Sequence, residues 1–193
     1  MMKSEDEAEK QGQDPASVQE SPRKRAPRRS ARGADADGPD PWLPKLERAE
    51  HLAAEGSHAD AAEAFAAVAA AQPDNVRAAL GLGTALAAAG KYDPAEKELR
   101  RAHKLASDSP EVNYQLGYTL YKKGVYAAAA TALRRAVELD PDHGPAFLVL
   151  GEALNQMAES DAAIDALEAA IRIAPENGKA YYAMGIAYDR KGN

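Results

Sequence analysis

The sequence predicts an all-α solenoid, a stack of helix–turn–helix units behind a disordered, charged N-terminal tail. Three observations carry this expectation. Small residues recur every 34 positions: Leu82-Gly83, Leu116-Gly117 and Leu150-Gly151, then Gly56, Gly90 and Gly124, then Ala61, Ala95, Ala129 and Ala163. A fixed period of this length is the mark of a repeat architecture. Between these marks apolar residues fall at helical spacing, with Gly and Pro confined to regular positions. Finally, the composition changes abruptly near Pro41.

The tail comes first in the chain. Residues 1–41 hold Glu, Gln, Ser, Pro and Arg and almost no large apolar side chain, Val18 being the exception. Such a segment buries too little apolar surface to offset its ordering entropy. Its charges are segregated: "KSEDEAEK" and "DADGPDP" flank a basic cluster of Arg23, Lys24, Arg25, Arg28, Arg29 and Arg32. Six cations so close suit either a solvated arm or salt-dependent contact with nucleic acid, an anionic lipid surface or an acidic protein. No aromatic residue is interleaved, so base stacking has no support. Ser21-Pro22 offers a phosphate acceptor that would weaken such contacts.

Five repeats follow over 42–193, starting at Trp42, Val76, Pro110, Gly144 and Gly178. Each of the first four is expected to form a helix, a tight turn and a second helix. Gly83, Gly117, Gly151 and Gly185 lie inside the first helices, where glycine costs about 1 kcal/mol against alanine. They are expected where another backbone approaches closely, with Ala61, Ala95, Ala129 and Ala163 as the facing small surface. Gly56, Gly90 and Gly124 end the first helices and suit φ > 0. Asp93 is expected to cap the second helix of repeat 2, with Pro94 at its first position and Glu96 closing a capping box. Pro73, Pro141 and Pro175 mark the repeat exits, and Ser107 fills the remaining slot.

The period, the small residues and the exit prolines resemble the tetratricopeptide repeat (TPR) family. The resemblance implies a right-handed superhelix whose first helices line a concave groove, and work as a protein–protein adaptor. Repeat 1 departs from the pattern with Arg48-Ala49 in place of Leu-Gly and His58 where tyrosine is usual. Repeat 4 departs with Ala158 for the turn glycine and Ser160 in the tyrosine slot. Looser packing is expected at both. Repeat 5 has a first helix and no second, so it reads as a truncated array or as an end covered by a partner. A third alternative is a fragment of a larger protein whose catalytic part lies beyond Asn193. The incomplete repeat is also a candidate edge for self-association.

Carried over from the family, the groove-facing fifth residue of each repeat reads Leu46, Leu80, Tyr114, Leu148 and Tyr182, an apolar line through all repeats. Tyr114, Tyr118 and Tyr121 share one helix face by their i, i+4, i+7 spacing. Groove charges are balanced: Arg77, Lys122, Lys179 and Arg190 against Glu50, Glu111, Glu152 and Asp189. The expected contact surface is Leu80, Tyr114, Tyr118, Tyr121, Leu148 and Tyr182, with Asn155 and Gln156 hydrogen bonding to the backbone of an extended peptide. Tyr92, Tyr126, Tyr181 and Tyr188 are expected in the core. The places matching a carboxylate clamp are Leu46, Glu50, Gly81, Glu111 and Gln115; none is cationic, so a C-terminal carboxylate is not the expected ligand.

Other functions have little to stand on. A net charge of −6 argues against a globally basic nucleic-acid binder. Cysteine is absent, which excludes disulfides, thiolate metal sites and cysteine nucleophiles. No apolar run approaches the ~20 residues of a membrane helix. The N-terminus lacks the apolar region of a signal peptide, so a cytoplasmic protein is the default expectation. His51, His58, His103 and His143 are scattered, with His143 expected in a solvated loop, and a metal site needs convergent ligands. "GLGTALAAAG" at 81–90 fails as a dinucleotide loop because it lies within a helical repeat. No enzyme, metal or cofactor is expected.

Overall fold

The computed structural model describes residues 40–192; the tail with its basic cluster lies outside them. Nine α-helices make up the described residues: α1 (Leu43–Ala54), α2 (His58–Ala71), α3 (Val76–Ala88), α4 (Tyr92–Leu105), α5 (Pro110–Lys122), α6 (Tyr126–Leu139), α7 (Gly144–Gln156), α8 (Ser160–Ile173) and α9 (Gly178–Lys191). They are 12 to 14 residues long, too short to be stable alone, so tertiary packing holds them. None of them is long and apolar enough to cross a membrane.

Each turn between the two helices of a repeat is closed by a residue in the left-handed region. Gly56, Gly90 and Gly124 have φ of 79°, 75° and 79°, and Ala158 is forced to φ 60° at the same lattice position. A Cβ resists that conformation at a cost of about 1–2 kcal/mol. Repeat 4 accepts the strain and keeps the turn.

The caps differ from the sequence expectation. α4 begins at Tyr92 with Lys91 as N-cap and no side-chain cap, so Asp93 does not cap it. Glu96 instead accepts from Lys123 Nζ at 2.7 Å and from Arg100 Nε at 2.7 Å, which holds its carboxyl below the usual range. Side-chain caps belong to the first helix of repeats 2 to 5. Asn75, Ser109, His143 and Asn177 accept from the backbone N–H of Ala78, Val112, Ala146 and Lys179 at 3.0, 3.3, 3.2 and 3.2 Å. These four residues stand one place before each repeat start, on the same 34-residue lattice.

The stack curves in a direction that the contacts reveal. Every helix packs on its chain neighbours, and the odd helices also meet one another: α1 with α3, α3 with α5, α5 with α7, α7 with α9. The even helices do not meet. The odd helices therefore form the close inner row and the even ones splay outward.

The helical glycines make seats for leucines. A Cβ on Gly83, Gly117 or Gly151 would lie 2.5, 2.6 or 2.4 Å from Cγ of Leu99, Leu133 or Leu167. The approaching group is thus chiefly a leucine from the second helix of the same repeat. The facing alanine contributes its carbonyl oxygen, at 3.3 Å for Ala95 and 3.2 Å for Ala129. Leu99, Leu133 and Leu167 are fully buried, as are Ala61, Ala95, Ala129 and Ala163.

Repeat 1 solves the same problem differently. Ala49 replaces the glycine, Phe65 replaces the leucine, and both are buried. The Phe65 ring crosses to the next repeat, where a Cβ on Gly81 would meet it at 2.4 Å. The expected looser packing is absent from repeat 4, whereas in repeat 1 α1 and α2 share the smallest interface of the four within-repeat helix pairs. The ring and Gly81 compensate in part in repeat 1, and Leu167 fills its seat in repeat 4. At Gly185, by contrast, nothing lies within 4 Å.

Candidate groove site

The inner helices present two clefts. The first, about 330 Å³, lies between α1 and α3. Its walls are small residues, Ala53, Thr84 and Ala88, with Leu80 and the Phe65 ring below. Arg77 bridges to Glu50 at 2.8 Å across it, and Glu111 stands at its edge.

The second cleft, about 340 Å³, lies between α5 and α7. Tyr114, Tyr118 and Tyr121 come from α5 and Leu148 from α7, with Lys122, Glu152 and Lys179 at the edges. The three tyrosines are half-buried. Tyr114 and Tyr118 have ring centroids 6.1 Å apart at 37°, and Tyr121 lies 5.9 Å from Tyr126 behind it. The Lys122 ammonium stands 5.4 Å from the Tyr118 ring, a cation–π geometry. Burial and the nearby Glu152 carboxylate push the Tyr121 phenol up to about 12. Burial chiefly, then its neighbours Tyr118, Glu111 and Glu152, raises Tyr114 as well. Both hydroxyls therefore stay protonated and can donate, while their rings offer flat apolar area.

His143 packs behind this cleft against Tyr114, contrary to the expected solvated loop. Its side chain is only 13% exposed. Nδ1 accepts from the Ala146 N–H as the N-cap of α7, and the ring lies 4.6 Å from that of Tyr114. Nε2 points to Glu111, 3.8 Å away. The sequence held a signal for it, since His143 occupies the capping place that Asn75, Ser109 and Asn177 fill in other repeats.

The remaining expected groove residues are dispersed. Leu80 lines the first cleft. Leu46 is 3% exposed and belongs to the core of repeats 1 and 2, so the apolar line does not run through all repeats. Tyr182 is 75% exposed, and Gln156 is exposed beyond the cleft. Asn155 does not face a peptide: it is buried, and its Nδ2 donates to the Ala183 carbonyl at 2.8 Å, tying α7 to α9. Position on the lattice put it near the groove, but α9 packs over it and takes its amide. Tyr92 and Tyr126 are half-buried, whereas Tyr181 and Tyr188 are exposed, contrary to the core expectation. No outer helix stands behind α9 among the described residues to cover them.

Comparison with known proteins agrees with the helical-repeat fold. Two family profiles described as tetratricopeptide repeat match residues 52–116 and 114–178. No curated protein matches the chain. Similar solved structures include a crystal structure of MamA protein, 31% identical with a TM-score of 0.71, covering 78% of this chain and 82% of that one. A second MamA crystal structure is 33% identical, TM-score 0.69, over 75% of this chain and 84% of that one. YrrB, described as a TPR protein with an unusual peptide-binding site, is 23% identical with a TM-score of 0.69, over 79% of this chain and 78% of that one. At that identity the likeness is one of fold. The repeat lattice, the helix pairs and these matches together place the chain in the tetratricopeptide repeat family.

Proposed function

We propose that this protein is an interaction adaptor whose contact surface is the tyrosine cleft between α5 and α7, and that its ligand is an extended peptide or helix of a partner protein. One observation carries this reading. Three tyrosines on one face of α5 meet Leu148 of the next repeat in a half-buried cleft edged by Lys122, Lys179 and Glu152. Aromatic rings with a polar tip are the chemistry of interface hot spots. The mixed edge charges favour a ligand with an apolar anchor and charges of both signs, rather than a carboxylate terminus. Backbone hydrogen bonding falls to the tyrosine hydroxyls, since Gln156 stands beyond the cleft and Asn155 is buried with its Nδ2 on the Ala183 carbonyl.

The test is selection of a random displayed peptide library on the full chain. Recovered peptides are expected to lose about 2 kcal/mol of binding, roughly thirtyfold, against Tyr114→Ala/Tyr118→Ala. Unchanged affinity, with helicity intact by circular dichroism, would discard the cleft.

A second reading, self-association of two copies through α9, rests on a different feature. The Gly185 seat is open where its counterparts hold Leu99, Leu133 and Leu167, and Tyr181 and Tyr188 stand exposed beside it. Sedimentation velocity across a concentration series should show a dimer that Gly185→Leu weakens by filling the seat. A monomer at every concentration would remove this reading.

A further inference from the structure

We infer that the outer surface carries a second binding site, a basic cleft between α4 and α6 that takes an acidic peptide with an aliphatic anchor. Because the even helices splay, wedge-shaped clefts open between them, floored by the inner helix. The one between α4 and α6, about 560 Å³, has Leu116 and Leu120 of α5 as its floor and Ala128 and Ala132 of α6 as one wall. That volume lies within the ~300–1,000 Å³ common for ligand sites.

Its charge is one-sided. Arg100, His103 and Lys104 line it from α4, at i, i+3 and i+4 and so on one face, and Arg135 faces them from α6. No carboxylate lines the cleft. Arg100 pairs with the half-buried Glu96, whose carboxylate is shared with Lys123, while Arg135 is paired with Asp108 and Glu138 in exposed pairs outside the lining. Exposed pairs are worth about 0–1 kcal/mol each, so a ligand carboxylate can compete for the Arg135 guanidinium. His103 and Lys104 have no carboxylate partner among the described residues.

The basic rim is not a by-product of the repeat. One repeat earlier the corresponding cleft between α2 and α4 has Lys91 and Lys97 balanced by Glu63 and Glu98. At matching lattice positions Arg100 and Lys104 stand where Ala66 and Ala70 stood, and Thr131 and Ala132 replace Lys97 and Glu98, so cations are gained and a carboxylate is lost. A nucleic acid fits less well than a peptide. No aromatic side chain lines the cleft for stacking, its floor is aliphatic, and the chain as a whole carries −6. Paired cationic rim and aliphatic floor together match a segment that alternates Glu or Asp with Leu.

The experiment uses the full chain with its six tail cations changed to glutamine, so that the tail cannot capture the probe. Fluorescence anisotropy then follows a labelled Glu/Leu peptide, its Lys/Leu charge reversal, poly-glutamate and an oligo-dT strand. The Glu/Leu peptide is expected to bind, and Arg100→Ala/Lys104→Ala to weaken it by about tenfold or more. Ala132→Glu, which puts a carboxylate against the aliphatic wall, should abolish binding, while Tyr114→Ala/Tyr118→Ala leaves it unchanged. Equal binding of the Lys/Leu peptide, indifference to Arg100→Ala/Lys104→Ala, or loss in the tyrosine variant alone would overturn the site. Poly-glutamate or oligo-dT binding as tightly as Glu/Leu would overturn the peptide assignment.

Discussion

Repeats 1 and 2 share a scaffold with repeats 3 and 4 but present a different groove. In the second half each inner-helix glycine holds a leucine of its own repeat, and the groove wall is built of large rings. In the first half Gly83 and Leu99 keep that seat, while Ala49 and Phe65 replace it one repeat earlier. There the groove wall is Ala53, Thr84 and Ala88, closed by an Arg77–Glu50 pair. The comparison teaches that the lattice fixes where a side chain sits between helices and leaves the groove-facing positions free. Contact chemistry can therefore be concentrated in one half without disturbing the stack.

The largest expected effect tests whether the two scaffolds are equivalent. Phe65→Ala and Leu133→Ala should each cost about 3–5 kcal/mol in denaturant unfolding, because each empties a fully packed seat. A much smaller loss at Phe65 would mean that repeat 1 is not held as the others are. Next comes Gly81→Ala, expected to destabilise by about 1–3 kcal/mol through its clash with the Phe65 ring. The same change made on Phe65→Leu should be neutral or stabilising, since alanine favours the helix by about 1 kcal/mol. A cycle showing no coupling would separate the two residues.

Smaller still is Ala158→Gly, which should stabilise repeat 4 by about 0.5–1 kcal/mol by relieving φ 60° at modest entropic cost. A fall in melting temperature would contradict the strain. The last prediction concerns the tyrosine half alone. The folded Tyr121 phenol is raised to about 12, above its ordinary value near 10. Above pH 10 the unfolded state therefore holds fewer protons, and the Tyr121 contribution to stability, intact below that pH, is lost as pH rises towards 12. A spectrophotometric titration should show late-ionising phenols, and Glu152→Gln should lower the Tyr121 midpoint only in part, because burial is the larger cause.

Much of the fold was legible because one mechanical rule recurs. Glycine at 83, 117 and 151, alanine at 95, 129 and 163, and the positive-φ turns at 56, 90 and 124 each repeat at a fixed interval. The same lattice hid two things in view. The capping residues at 75, 109, 143 and 177 share no single residue type, so the eye passes over them. The compensation between Phe65 and Gly81 joins neighbouring repeats and cannot be read within one. The site was less legible than the fold. Spacing put Tyr114, Tyr118 and Tyr121 on one face, but it could not assign Asn155 to the α9 carbonyl or seat His143 against Tyr114.

By itself the sequence determined the helix pairs, their turns and the stacking interval, because these depend on local backbone preference and on side-chain size at set positions. The tertiary structure decided which groove positions stay open, which amide is already engaged and which side of the ribbon gathers cations. Those depend on the splay between neighbouring helices, a property of the whole curved stack that no single repeat encodes.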